Sequence, residues 1–207
     1  MEKLQVYPDV PEKMFEKYSQ QKKIAVDTEL HGLNIFRDQV CLVQLCDENG
    51  QVCLVRPAKN KSPHLRKLLE TPLILKVFHY ALTDVTLFRT SLGWNVNPFC
   101  CTKVMSKLIR TYTNSHGLKD LHQELLRVEL EKEQQQTNWA KMDLSQKQLK
   151  YAANDVLHLL KIFNKLTQMM VSRENLPGGK NIVTLNELAQ GMLPGFVELI
   201  SHGYGDQ

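Results

Sequence analysis

Apolar positions in the first hundred residues fall in short runs. Those in the second half recur at a spacing near 3.6, so strands are expected first and helices afterwards. Residues 23–29 (KIAVDTE) form a β-branched run that turns polar at its end. Residues 40–45 (VCLVQL) and 51–55 (QVCLV) read as two further strands, joined by residues 47–50 (DENG), whose Asn-Gly end is a hairpin signal. Residues 73–79 (LILKVFH) read as a fourth strand, and a short one is expected near residues 95–99. Residues 62–70 fit a helix with Ser62 as N-cap and Pro63 at the first helical position. Residues 81–92 place Val85, Phe88 and Leu92 at helical spacing.

From residue 102 the signal is helical, over 102–110, 118–126 and 145–170, the last opened by Ser145 as N-cap. Residues 177–180 (PGGK) are the expected break, followed by a helix at 186–192 and a glycine-rich end. The pattern predicts one α/β domain, a hairpin-containing mixed sheet packed by helices and followed by a helical half.

Length and composition agree with that picture. The chain has 207 residues, 43% apolar and 23% charged, which suits one domain with a modest extension and argues against disorder. No run of 18 apolar residues exists, so no membrane partner is expected. The start, MEKLQVYPDVPEK, lacks the apolar core of a signal peptide, so the expected compartment is cytoplasmic. The five cysteines (Cys41, Cys46, Cys53, Cys100, Cys101) are odd in number and form no CxxC pair, which points to reduced structural thiols.

The net charge of +4 says less than its distribution. Residues 51–69 hold no acid but carry Arg56, Lys59, Lys61, Arg66 and Lys67. Residues 85–119 again hold none, with Arg89, Lys103, Lys107, Arg110 and Lys119. Such stretches suit either a surface facing a polyanion or ordinary solvated helix faces.

Four carboxylates stand out by position. Asp27 and Glu29 lie two apart at the end of an apolar strand, so both side chains share one face. Two acids so placed repel each other and lose hydration, an arrangement a cation relieves. Asp84 sits near the start of the helix after the fourth strand, and Asp155 in the last long helix, one turn after Tyr151. Oxygen donors of this kind suit Mg²⁺ or Mn²⁺. Two such ions, roughly 3.5–4 Å apart, can clamp the attacking and leaving oxygens of a phosphodiester. Tyr151 could then orient the attacking water or help remove its proton. Each fragment alone is commonplace, and their chain order is what raises their weight.

In that order the fragments resemble the ribonuclease D-type 3′–5′ exonucleases, the tyrosine-bearing branch of the DEDD superfamily. The matching segments are 26–29 (VDTE) with Gly32-Leu33, Arg37-Asp38 and Val43-Gln44-Leu45, then 76–84 (KVFHYALTD), then 151–156 (YAANDV). Residues 115–118 (SHGL) and 136–139 (QTNW) resemble that family's connecting segments. The resemblance implies a ribonuclease H-like mixed sheet, with an exonuclease domain over residues 1–175 and a helical extension over 176–207 packed on it. It implies Asp27, Glu29, Asp84 and Asp155 as ligands of two divalent ions, and Tyr151 as the residue that positions water. The activity implied is release of nucleoside 5′-monophosphates from single-stranded RNA 3′ ends, tRNA precursors among them. A DNA exonuclease of the same fold, or a nucleic-acid-binding module without catalysis, are the alternatives, and the oligomeric state stays open. Among substrate contacts, His79 and His116 are candidates for phosphate or sugar and Gln44 for the terminal nucleotide. Leu33 and Tyr80 are candidates for packing or stacking on terminal bases, while Trp139 reads as a packing anchor. The chain departs from the family pattern at Leu30, Tyr80 and Cys101, none of which is a metal ligand. Only about 37 residues follow Met170, too few for the helical domains of full-length ribonuclease D, so a short catalytic form is expected.

Overall fold

A computed structural model describes residues 4–32, 34–129, 137–173, 175–176 and 180–204. Its elements are β1 (Val6–Tyr7), α1 (Glu12–Ser19), β2 (Lys23–Leu30), β3 (Val40–Cys46), β4 (Val52–Val55) and α2 (Pro63–Glu70). They continue with β5 (Leu75–Phe78), α3 (Ala81–Leu87), β6 (Phe99–Cys101), α4 (Thr102–Ile109) and α5 (Leu118–Leu121). The last are α6 (Gln146–Leu157), α7 (Leu159–Ser172), the pair β7 (Asn175–Leu176) and β8 (Lys180–Asn181), and α8 (Ile182–Ser201).

Six strands form one mixed sheet in the order β1-β4-β3-β2-β5-β6. β2, β3 and β4 pair antiparallel, and the DENG hairpin joins β3 to β4 as expected. β5 and β6 run parallel to β2. Both faces are covered, which is why the central strands read as nearly continuous apolar runs. One face packs Ile24, Val26, Val43, Leu45, Cys53 and Val55 against α1, α2 and α3. The other packs Ala25, Cys46 and Val77 against Val156, Leu159 and Leu160, and Leu42 and Leu54 against Leu149 and Ala152. All five cysteines are buried and free. Among the described residues no helix is long and apolar enough to cross a membrane.

Several elements differ from the sequence pattern. β1 and α1 precede the first strand that the pattern reveals. The strand expected near residues 95–99 lies at Phe99–Cys101, because Pro98 offers no N–H and pairing with β5 begins after it. Residues 88–92 and 122–126 widen into π-helical turns, ended by Gly93 at φ 69° and Arg127 at φ 59°. The helix expected over 145–170 is two helices broken at His158, although Ser145 does cap the first through Gln148. α6 lies over β2, β3 and β4 while α7 lies against α4 and β5, and one straight apolar stripe cannot serve both. Ser62 occupies the N-cap position of α2, yet its hydroxyl donates to the Pro8 carbonyl, and the Asp9 carboxylate accepts the His64 and Leu65 N–H groups instead. The helix expected over 186–192 runs from Ile182 to Ser201, across Gly191, Pro194 and Gly195. Leu193 and Val197 on that helix are buried in the main core, so packing overrides local propensity. Of the expected break at 177–180, residues 177–179 lie outside the described residues.

α8 is fastened to the sheet edge by one side chain. The Gln190 amide accepts the Cys101 N–H (2.8 Å) and donates to the Cys101 carbonyl (3.1 Å), in the place where a next strand would pair.

Candidate active site

Strand alternation decides which acids can meet. Asp27 and Glu29 share the parity of Ala25 and emerge on the α6 side of the sheet. α6 brings Asp155 to them, and ligand oxygens of Asp27, Glu29 and Asp155 all lie within 4.8 Å of one another. Among the described residues this is the one group of three or more potential ligand residues packed so closely. Asp84 arrives from the opposite layer, on α3. Thr28 has the opposite parity to its two neighbours, and its hydroxyl donates a hydrogen bond to the Asp84 carboxylate. The sheet thus contributes three consecutive residues to the site, two from one face and one from the other.

Burial and mutual repulsion push the acids upward. Asp27 rises well above the usual carboxylate range, first through burial and then through Asp155, Asp84 and Glu29. Glu29 is pushed up to about 9 by burial, then by Asp155 and Asp84. Asp84 and Asp155 each rise to about 7 through burial, partly offset by hydrogen bonds from Thr28 and Tyr151 respectively. A buried acidic cluster of this kind holds its charge only beside a cation. An all-carboxylate donor set without thiolate or imidazole fits a hard divalent ion such as Mg²⁺ or Mn²⁺.

Tyr151 stands one turn before Asp155 and hydrogen-bonds it. Burial, followed by the charges of Asp155, Glu29 and Asp27, raises its hydroxyl above the ordinary phenol range, so it stays protonated. Trp139 packs beside it, with ring centroids 6.2 Å apart, and is itself buried among Leu42, Leu54 and Leu149, the anchor role read from the sequence.

The expected substrate contacts separate into groups. Gln44 lies directly opposite Asp27 in the sheet but is 0% exposed, so contact with a nucleotide is closed to it. Neither of its amide atoms has a hydrogen-bond partner. The His79 ring lies 2.9 Å from Thr102 Oγ1 and also bonds the His116 backbone, and burial pushes its pKa down to about 3. These contacts brace the half-buried ring between β5 and α4. The half-buried His116 ring rests on Ser106 Oγ at 2.8 Å. Tyr80 is 55% exposed. Leu33 lies outside the described residues. Its neighbour Gly32 sits where a β-carbon would collide with the Asp38 carboxylate, which pairs with Arg37 and accepts the Asn34 N–H.

Four arginines of the two acid-free stretches are engaged within the protein. Arg110 is fully buried against Glu124, Ser106 and the Ser115 carbonyl. Arg56 donates to the Lys141 carbonyl, Arg66 pairs with Glu70, and Arg89 pairs with Glu198. Thr28 is a site residue that no motif role marks in the sequence. Its signal was the alternation itself, which turns it away from Asp27 and Glu29 and toward α3.

Comparisons with known proteins identify the family. A family model described as 3′–5′ exonuclease matches residues 8–171. The chain is 34% identical over 149 residues to a ribonuclease D of Haemophilus influenzae, covering 71% of this chain and 37% of that protein. It thus spans well under half the length of the ribonuclease D relatives it matches. Brucella melitensis NrnC superposes with a TM-score of 0.88 at 36% identity, covering 98% of this chain and 94% of that one. Structures of the same NrnC bound to pGG and with bound Mg²⁺ match at TM-scores of 0.87 and 0.86. Escherichia coli RNase D shares the fold, with a TM-score of 0.72 at 24% identity over 92% of this chain and 50% of that one.

Proposed function

The chain belongs to the 3′–5′ exonuclease family, and on that premise we propose that it is a metal-dependent exoribonuclease that releases nucleoside 5′-monophosphates from RNA 3′ ends. The observation that carries this reading is the convergence of Asp27, Glu29 and Asp155 within 4.8 Å, with Asp84 tethered beside them by Thr28. The four carboxylates would hold two Mg²⁺ or Mn²⁺ ions, which when bound supply Lewis-acid stabilisation of the phosphodiester oxygens.

The protein's own groups do the positioning. Water adds to phosphorus, the bond to the 3′ oxygen of the preceding nucleotide breaks, and that oxygen leaves as a hydroxyl. Tyr151, hydrogen-bonded to Asp155, would orient the attacking water or help remove its proton. The sheet and α6 set the acids in place before substrate arrives, which favours attack geometry. RNA is the preferred substrate because the named relatives are ribonucleases D and an NrnC bound to pGG. Short RNA such as pGG and the 3′ ends of tRNA precursors are the two forms to compare.

The test incubates 5′-labelled single-stranded RNA, DNA of the same sequence, and pGG with Mg²⁺ or Mn²⁺, against an EDTA control. A ladder shortening from the RNA 3′ end, lost in Asp155→Asn, supports the reading. Binding without shortening in either metal overturns it, and shortening of DNA alone overturns the choice of RNA.

A further inference from the structure

Tyr80 has a costly backbone and an exposed ring. Its φ of 73° and ψ of 45° lie in the left-handed region, where a β-carbon is crowded and Gly or Asn settle more easily. Arg127 is the other such non-glycine among the described residues, and it sits at the end of a π-helical turn, an ordinary place for that conformation. Tyr80 instead comes just before a helix. It is held there from both sides. His79 before it is braced on Thr102 and the His116 backbone, and Ala81 after it is fully buried.

That strain does not bring Tyr80 into the core, since the residue remains 55% exposed. Lys103 Nζ stands 4.0 Å from the ring centroid, a close cation–π contact. The position is next to the chemistry. β5 runs parallel to β2 with Val77 beside Ala25, so the chain leaves the sheet at the edge that carries Asp27 and Glu29. Asp84 follows within the first turn of α3. Strain maintained by the surroundings at a site edge calls for a use other than packing.

We propose that Tyr80 and Lys103 form a base-docking platform beside the carboxylate cluster. The ring stacks a base of single-stranded nucleic acid, and the ammonium supplies positive charge for the adjoining phosphate. The identity of the ligand rests on the exonuclease reading. Every base has a π-face, so the platform accepts the four bases with little discrimination.

The test measures binding of labelled oligoribonucleotides by fluorescence anisotropy in Ca²⁺, alongside thermal melting, for the full chain and its Tyr80→Asn, Tyr80→Phe and Lys103→Gln variants. Tyr80→Asn should weaken binding roughly 5- to 100-fold, the range that base–aromatic stacking supplies, with a Tm equal to or above wild type because Asn tolerates the backbone. Tyr80→Phe should bind within about twofold of wild type, the ring being what stacks. Lys103→Gln should weaken binding and flatten its salt dependence. An abasic oligomer should erase the difference between wild type and Tyr80→Asn. Tyr80→Asn binding like wild type, or losing Tm along with affinity, would overturn the platform, as would a difference that persists with the abasic oligomer. A wild type that binds RNA through Tyr80 but never cleaves it would sink the exonuclease reading alone.

Discussion

The Thr28 hydroxyl donates to the Asp84 carboxylate, while the residues on either side of Thr28 present their own carboxylates to the opposite face of the sheet. One tripeptide therefore supplies two acids and the tether for a third. The hydrogen bond from Thr28 lowers the Asp84 pKa against the raising effect of burial.

Thr28→Val keeps the shape and removes the tether. The Mg²⁺ concentration for half-maximal activity should rise roughly 10- to 100-fold, the usual cost of losing a partner that orients a metal ligand. Thr28→Ser should restore it. An unchanged Mg²⁺ requirement in the Val variant, with normal melting, would show that Asp84 needs no tether.

The acids also set how pH acts on stability. Asp84 and Asp155 are raised to about 7 and Glu29 to about 9, so the folded state binds more protons than the unfolded one above the ordinary carboxylate range. Their contribution is full at low pH and is lost as pH rises through 7 to 9. His79, lowered to about 3, and Lys76, lowered to about 7, act with the opposite sign, so the informative quantity is a difference. The gap in Tm between samples in Mg²⁺ and in EDTA should widen steadily from pH 5 to pH 9, because ion binding must displace those protons. Asp155→Asn should shrink the gap and raise the Tm in EDTA. A gap that does not vary with pH would mean that the cluster is not where Mg²⁺ binds.

Tyr151→Phe removes one hydroxyl and retains the ring that packs beside Trp139. We expect kcat to fall about 10²-fold, the loss that follows when a reacting group is no longer held in line, with Mg²⁺ stabilisation intact. Single-turnover rates that match wild type would remove Tyr151 from the chemistry.

Gln190→Ala should loosen α8 from the sheet edge. It strips both hydrogen bonds from the Cys101 backbone, which costs about 1–3 kcal/mol, or roughly 2–4 °C in Tm for each kcal/mol in a chain of this size. Hydrogen exchange at the Cys101 amide should rise with it. A protected amide in the variant would show that α8 is held without Gln190, by its buried side chains and the Glu198–Arg89 pair.

Much of this protein is legible in its sequence. The runs at 23–29, 40–45 and 51–55 became β2, β3 and β4 because strand burial writes itself into composition, and the DENG hairpin followed from turn chemistry. Asp27 and Glu29 were paired on one face by the period of two, and Tyr151 and Asp155 by one helical turn. What local pattern cannot express is the partner across space. Nothing near Gln44 in sequence says that it is sealed from substrate, and nothing near Ser62 says that Asp9 caps its helix. The break at His158 and the helix running through Pro194 follow from which surfaces the two segments cover, not from their own propensities. The +4 charge likewise hid that Arg110 is spent inside the protein.

The amino-acid sequence by itself determined the class of the protein, the identity of its acids and the faces they occupy, since periodicity and donor chemistry are local properties. Tertiary structure alone decided that Asp84 reaches the cluster from the far layer through Thr28. It also decided that the cluster is buried enough to lift its pKa values, and that Tyr80 is displayed while His79 beside it is half-buried against Thr102. Distance and desolvation depend on how layers pack, and packing joins residues far apart in the chain.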